Sequence, residues 1–150
     1  LVGSEMCIRD REEKMQGQDD IFKAFCGFPG VDTRLPLMLD AAANGKTTLK
    51  RVIELLCTNP AKCFNIYPQK GILAAGADAD IVIFDMNDTM TIDRTKSYSM
   101  AREIARVYDG RELKCKLNYT IVRGRVLMED GVVDTEAKGY GELVKPAEKV

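Results

Sequence analysis

The chain has 150 residues, 45% of them hydrophobic, which suffices for one ordinary domain or for a piece of a larger one. Its 22 basic and 23 acidic side chains leave a net charge of −1, which excludes a nucleic-acid binder working by bulk charge, and no apolar run is long enough to cross a bilayer. Histidine is absent, and the five cysteines (Cys7, Cys26, Cys57, Cys63 and Cys115) form neither a zinc ribbon nor a CxxC pair, so they read as reduced thiols.

The N-terminus lacks the continuous apolar core of a signal peptide, so a cytoplasmic location is expected and the sequons at Asn87 and Asn118 carry no expected meaning. Residues 1–11, "LVGSEMCIRDR", have no hydrophobic period and no capping logic. They look like the conceptual translation of a sequencing adapter, and are set aside from fold reasoning; the other reading is a genuine disordered arm. Glu12 to Asp20 is polar and reads as a surface segment. "FCGFPG", Phe25 to Gly30, is a loop in which two glycines and a proline bracket aromatic residues. A helix is predicted next, with Pro36 in its first turn, an apolar stripe of Leu35, Met38, Leu39 and Ala42, and a stop at Asn44-Gly45.

Thr47 or Thr48 can cap the following helix, whose Leu49, Val52, Ile53, Leu56 and Cys57 share one face at 3.6-residue spacing. A further helical turn is predicted to restart at "NPAKCFNIY", with Asn59 as N-cap and Pro60 at the first position. From Gly71 the period changes to strands and turns. Ile81 to Phe84 is β-branched enough for a buried strand, and Met90 to Ile92 is a weaker one. "SMAREIARVYDG" holds a short helix or an irregular excursion. "LNYTIVRGRVLMEDGVV" predicts a strand, a tight Arg123-Gly124 break, a second strand, an Asp130-Gly131 turn and a last strand. The polar tail after Asp134 should lace the surface.

Helices come first and strands last, which suggests two structural units with a boundary near Tyr67 to Gly71. Neither half covers its own apolar faces, so the chain reads as the end of something longer.

Three motifs invite chemistry. "NGKTTLK" (Asn44 to Lys50) resembles a phosphate-binding loop, with "IVIFD" as a magnesium strand. That motif needs a glycine where Asp40 stands and a strand upstream where an alanine-rich helix is predicted, so the stretch reads as a helix stop followed by a helix start. The acids of "DADIVIFD", Asp78, Asp80 and Asp85, flank a strand, and turn-forming or edge-capping roles suit them better than ligation. Asp32, Arg34 and Asp40 surround the Phe25–Gly30 loop, where an Asp–Arg pair could orient it or equally be an ordinary solvated pair worth little energy. Cys26 in that loop lacks the histidine base a catalytic thiol needs, and is read as lining.

In order, "EEK" (Glu12–Lys14), "GFPGVDTRLPLML", "NPAK", "KGILAAGADADIVIFD" and "YTIVRGRVLMEDG" resemble the C-terminal third of cyclic amidohydrolases, the group of dihydroorotase, hydantoinase (dihydropyrimidinase) and allantoinase. "EEK" and the acid-Thr after the glycine-proline loop lean towards dihydroorotase; "FNIYPQKG" leans towards hydantoinase. The resemblance implies an α/β fragment: residues 12–70 as the last helices of a (β/α)8 TIM barrel, and residues 71–150 as the C-terminal strands of a composite β-sandwich. It implies a parent that is a cytoplasmic homo-oligomer and hydrolyses a cyclic amide C–N bond in a dihydroorotate-like ring, with dihydropyrimidinase or a non-catalytic hydantoinase-like scaffold as alternatives. In this family two divalent metals, zinc here, activate a hydroxide, held by an HxH pair, a carboxylated lysine, two later histidines and an aspartate in a "DHAPH"-like motif. None of these ligands is in this chain, and Asp10 lacks the flanking motif, so the fragment is expected to be inactive and to bind no zinc by itself. The resemblance also places substrate contacts on the backbone of Phe25, Cys26 and Gly27. Cys26 and Asp32 depart from the proline and glutamate common in the family, which leaves ring specificity open.

Overall fold

A computed structural model of the chain describes residues 12, 15–23, 27, 29–99 and 101–147. Residues 1–11, and the adapter reading of them, lie outside the described residues. Helix α1 spans Val31–Ala43, α2 Leu49–Ile53 and α3 Asn59–Cys63. Strands follow at β1 (Ile81–Asp85), β2 (Met90–Thr91), β3 (Glu112–Leu113), β4 (Lys116–Val122), β5 (Arg125–Glu129) and β6 (Val132–Val133). This is an α/β arrangement with antiparallel sheets, in the order the sequence predicts.

α1 starts five residues before Pro36 rather than beside it. The Gly30 carbonyl accepts from Arg34 N (2.9 Å), and Asp32 lies in the first turn, where the helix dipole favours an acid. Pro36 therefore sits inside the helix, its ring fully buried, and supplies no N–H for the carbonyl of Asp32. The helix ends as predicted. Gly45, at φ +71, donates to the Ala42 carbonyl (3.0 Å) and Lys46 donates to that of Ala41 (2.9 Å), which is a Schellman closure.

Thr48 caps α2, its hydroxyl accepting from Arg51 N (3.2 Å). The helix does not stop and restart at Asn59. Over Glu54–Thr58 it widens to π geometry, with Asn59 N donating to the Glu54 carbonyl, and then runs on as α3. Pro60 explains the wide turn: it has no N–H for residue 56, and its ring would crowd that carbonyl in a regular helix. Val52 and Ala61 are buried, whereas Ile53 of the predicted stripe is 47% exposed.

The chain divides into two compact units, Leu1–Met38 with Thr89–Leu113, and Leu39–Asp88 with Lys114–Val150. The change of period at Gly71 falls inside the second. In the first, β2 and β3 form a short ribbon pairing Met90 with Leu113 and Thr91 with Glu112. The intervening chain is the irregular excursion, with 3-10 turns at Arg94–Lys96 and Arg102–Ile104. Among the described residues of this unit's ribbon and excursion, Ile92, Ala101 and Leu113 are buried.

In the second unit the sheet order is β1-β4-β5-β6. Both tight turns have positive φ at their two central residues: Arg123 (+45°) with Gly124 (+82°), and Asp130 (+46°) with Gly131 (+85°). This is the two-residue geometry that matches strand twist. β1 lies at the sheet edge, with Val82 37% and Ile83 45% exposed, so it is not the buried strand its composition suggests. Tyr140 and Ala147 of the tail each hold a partner in the body of this unit. Arg123 stacks on the Tyr140 ring (4.4 Å to its centre) and donates to the Tyr140 carbonyl, and Ala147 N donates to the Asn65 carbonyl (2.8 Å).

Candidate functional site

Of the three loop positions that carry the expected substrate contacts, Phe25 and Cys26 lie outside the described residues and Gly27 lies within them. Gly27 has φ +113, a conformation open to glycine and rarely taken by other residues. Pro29, two residues on, is buried, and Gly30 closes the first turn of α1.

Asp32, in that first turn, accepts a hydrogen bond from the Ser97 hydroxyl. Ser97 Oγ also accepts from Ser99 N (3.1 Å), and Ser99 Oγ accepts from Ala101 N (3.2 Å). Asp93 caps the turn before Ser97 through Thr95 N (2.9 Å) and Thr95 Oγ1 (2.6 Å), bonds that hold its carboxyl below the usual range. Asp109 receives both the Arg94 backbone N and Nε, each at 3.0 Å. The residues Thr91, Ile92, Asp93, Lys96, Asp109 and Gly110 line an open cavity of about 450 Å³, but its two acids are the ones already engaged in this way. No local sequence signal marks Ser97 or the Arg94–Asp109 pair, because both bonds reach across many residues.

The acids of "DADIVIFD" are structural. Lys70 Nζ pairs with Asp78 (2.8 Å) and with Asp80, and Asp80 also accepts from Arg123 N (2.9 Å). The Lys70 hydrogen bond lowers the Asp78 carboxyl. Burial pulls Lys70 down, but its bonds to Asp78 and Asp80 more than offset that, so its ammonium is raised. Asp85 accepts from Asn87 N (2.7 Å) as a turn-former. Asp40 is buried in the second unit, where it accepts from Asn44 Nδ2 (2.9 Å) and Lys114 N (3.1 Å). Cys115 beside it is fully buried, and burial and the Asp40 charge push its thiol up.

Among the described residues no group of three or more His, Cys, Asp or Glu side chains is placed to share a metal ion. With histidine absent and these acids engaged by Lys70, Arg123 and Asn87, the described residues do not fit a zinc site. No described helix is long and apolar enough to cross a membrane.

The model of the amidohydrolase family matches residues 27–127. The chain is 39% identical over 144 residues to an L-hydantoinase of Paenarthrobacter aurescens, covering 95% of this chain and 31% of that protein. It is 37% identical to a dihydropyrimidinase of Rattus norvegicus, covering 95% and 27%. Among solved structures, the D-hydantoinase (dihydropyrimidinase) from Thermus sp. superposes with a TM-score of 0.82 at 28% identity, over 92% of this chain and 30% of that one. The chain therefore spans less than a third of the length of the curated relatives it matches.

Proposed function

The chain belongs to the amidohydrolase family, and from that premise we propose that the full-length protein is a hydantoinase-type enzyme that hydrolyses the C–N bond of a five- or six-membered cyclic amide. The observation that carries this reading is the 39% identity to an L-hydantoinase across nearly the whole chain. The landmarks "EEK" and the acid-Thr lean towards dihydroorotase, but the similar proteins are named hydantoinase or dihydropyrimidinase, which supports a hydantoin or dihydrouracil ring over dihydroorotate.

In this reading the helices belong to the end of a (β/α)8 barrel, and the sheet of β1, β4, β5 and β6 to a sandwich completed by residues outside this chain. Two zinc ions belong to the full-length enzyme on ligands outside this chain. What this chain contributes is the loop of Phe25, Cys26 and Gly27. A glycine with no side chain allows a ring to approach backbone N–H and C=O groups, which read an amide without any titration step.

The test is steady-state kinetics of the full-length enzyme with hydantoin, dihydrouracil and dihydroorotate. The first two should be turned over in preference to the third. Gly27→Val places bulk where the ring should lie and strains φ, so KM should rise by roughly tenfold or more. Metal content should not change, because no ligand is touched. Asp85→Asn should be silent. A silent Gly27→Val beside an Asp85→Asn variant that is folded but inactive would overturn this placement. Metal-loaded wild-type protein that opens none of the rings would favour the scaffold alternative.

A further inference from the structure

We propose that Asn44-Gly45 is a latent deamidation site, locked in the folded protein by the Asp40 carboxylate and converted irreversibly once that lock opens. It is the one Asn-Gly pair in the sequence. Glycine after asparagine is the pairing most open to this chemistry, because no Cβ hinders the glycine nitrogen as it reaches the asparagine side chain. In the reaction the Gly45 nitrogen bonds to Asn44 Cγ and gives up its proton. The Cγ–Nδ2 bond breaks, and the amide nitrogen leaves with that proton as ammonia. Water then opens the cyclic imide. Attack at Cγ leaves aspartate at position 44; attack at the main-chain carbonyl carbon leaves isoaspartate there. Both residues are exposed, so water is at hand.

The fold engages the groups that must move. Asp40 accepts from Asn44 Nδ2 twice, at its carboxylate Oδ1 and at its main-chain carbonyl, each at 2.9 Å. The leaving group thus has both its protons held, and the bond to the carboxylate is charge-assisted. The attacking Gly45 N–H is held by the Ala42 carbonyl (3.0 Å), and the Asn44 N–H by that of Asp40 (2.9 Å). Asp40 is itself anchored. It is buried, and the same Oδ1 accepts from Lys114 N (3.1 Å). Conversion therefore requires this end of α1 to open first, and its rate follows the population of that opening.

The product cannot re-form the lock. A carboxylate at position 44 has no proton for Asp40, so two acceptors would face each other where a donor and an acceptor now meet. The new charge would also lie beside a buried like charge and at the negative end of the α1 dipole. Cys115 reports the change, being next in sequence to Lys114 and fully buried. Burial, and after it the Asp40 charge, push its thiol up, which marks the two side chains as neighbours. Displacing Asp40 from Lys114 N should uncover a thiol that the intact lock conceals.

The experiment holds the full-length protein in warm, mildly alkaline buffer and follows it by peptide mapping with mass spectrometry. Asn44 should convert at least about tenfold more slowly in the folded protein than in urea. Asp40→Asn keeps an acceptor for Lys114 N but removes the charge. It should convert at least about threefold faster than wild type in the folded state. Conversion of the folded wild type at the rate seen in urea would overturn the inference. So would an Asp40→Asn variant that is folded by circular dichroism and converts no faster than wild type. Should Asp40→Asn fail to fold, the product side decides. Asn44→Asp should let Cys115 be labelled in native buffer at least about tenfold faster than Asn44→Ala, which removes the same bonds without adding charge. Equal labelling of those two variants would overturn the inference as well.

Discussion

Replacing Gly71 by alanine tests how the sheet-bearing part of the chain is joined to its helices. Gly71 has φ +83, and a Cβ built there would stand 2.6 Å from Ala61 Cβ and 2.8 Å from the Cys57 carbonyl oxygen. Carbon atoms in contact prefer about 3.5–4.0 Å, so something must move by about 1 Å. The obstacle is helix backbone and a methyl that is itself buried, not the end of a flexible side chain. Movement would also pull the Gly71 carbonyl from the Thr58 hydroxyl, now 2.9 Å away. The left-handed conformation costs about 1–2 kcal/mol for a residue with a Cβ. Overpacking adds about 1–3 kcal/mol. The sum is a loss of about 2–5 kcal/mol. Gly76→Ala is the internal control: it has φ +89 but nothing within 4 Å, so only the conformational part applies. Urea unfolding followed by circular dichroism should put the Gly71→Ala midpoint about 1 M below that of Gly76→Ala. Equal midpoints would refute the idea that close approach, rather than φ alone, requires glycine at residue 71.

Among the three described cysteines, thiol labelling followed by mass spectrometry should modify Cys63 before Cys57, which is exposed as well but whose thiol is raised by desolvation, and should reach Cys115 only after unfolding; early labelling of Cys115 would contradict its burial. The Lys70–Asp78 pair has opposite signs at its two ends. The lowered Asp78 carboxyl contributes stability above its unfolded pKa of about 3.9, lost as pH falls through the folded value, and the raised Lys70 contributes below about 10.4, lost as pH rises through its own folded value. The melting-temperature difference between wild type and Lys70→Met should therefore be flat from about pH 4 to 10 and shrink at both ends; a difference that grows in acid would rule the pairing out.

Local chemistry announced most of the elements. Thr48 as a cap, Asn44-Gly45 as a stop, and the two tight turns at Arg123-Gly124 and Asp130-Gly131 each act within a few residues, so composition reveals them. Pro36 misled because its first-turn preference is only one of the places a helix can hold it; burial inside α1 was decided by tertiary packing. The two-residue strand β3 carries no pattern long enough to read, and exists because β2 pairs with it. The same distinction governs the candidate site. Gly27 could be singled out by its glycine-proline setting, whereas Ser97 and Asp109 act on residues 65 and 15 positions away and leave no local trace. Lys70 sits beside the quoted "DADIVIFD" landmarks, yet its role as their counter-ion depended on a fold that brings residue 70 back to the entry of β1.

The wide turn at Glu54–Thr58 also sets the phase of the helix beyond it. Val52 and Ala61 are nine residues apart, and at 3.6 residues per turn a regular helix would put them on opposite sides, about 180° apart. One residue absorbed into the wide turn takes back about 100° of that rotation, which brings the two side chains towards a common face, and both are in fact buried. Length here is thus a rotational variable. Deleting a single residue between Glu54 and Thr58 would turn the wide turn into regular helix and leave Ala61 eight residues from Val52, about 80° away and still towards the shared face, whereas straightening the turn without a deletion would swing Ala61 to the opposite side and carry Gly71's contact surface with it.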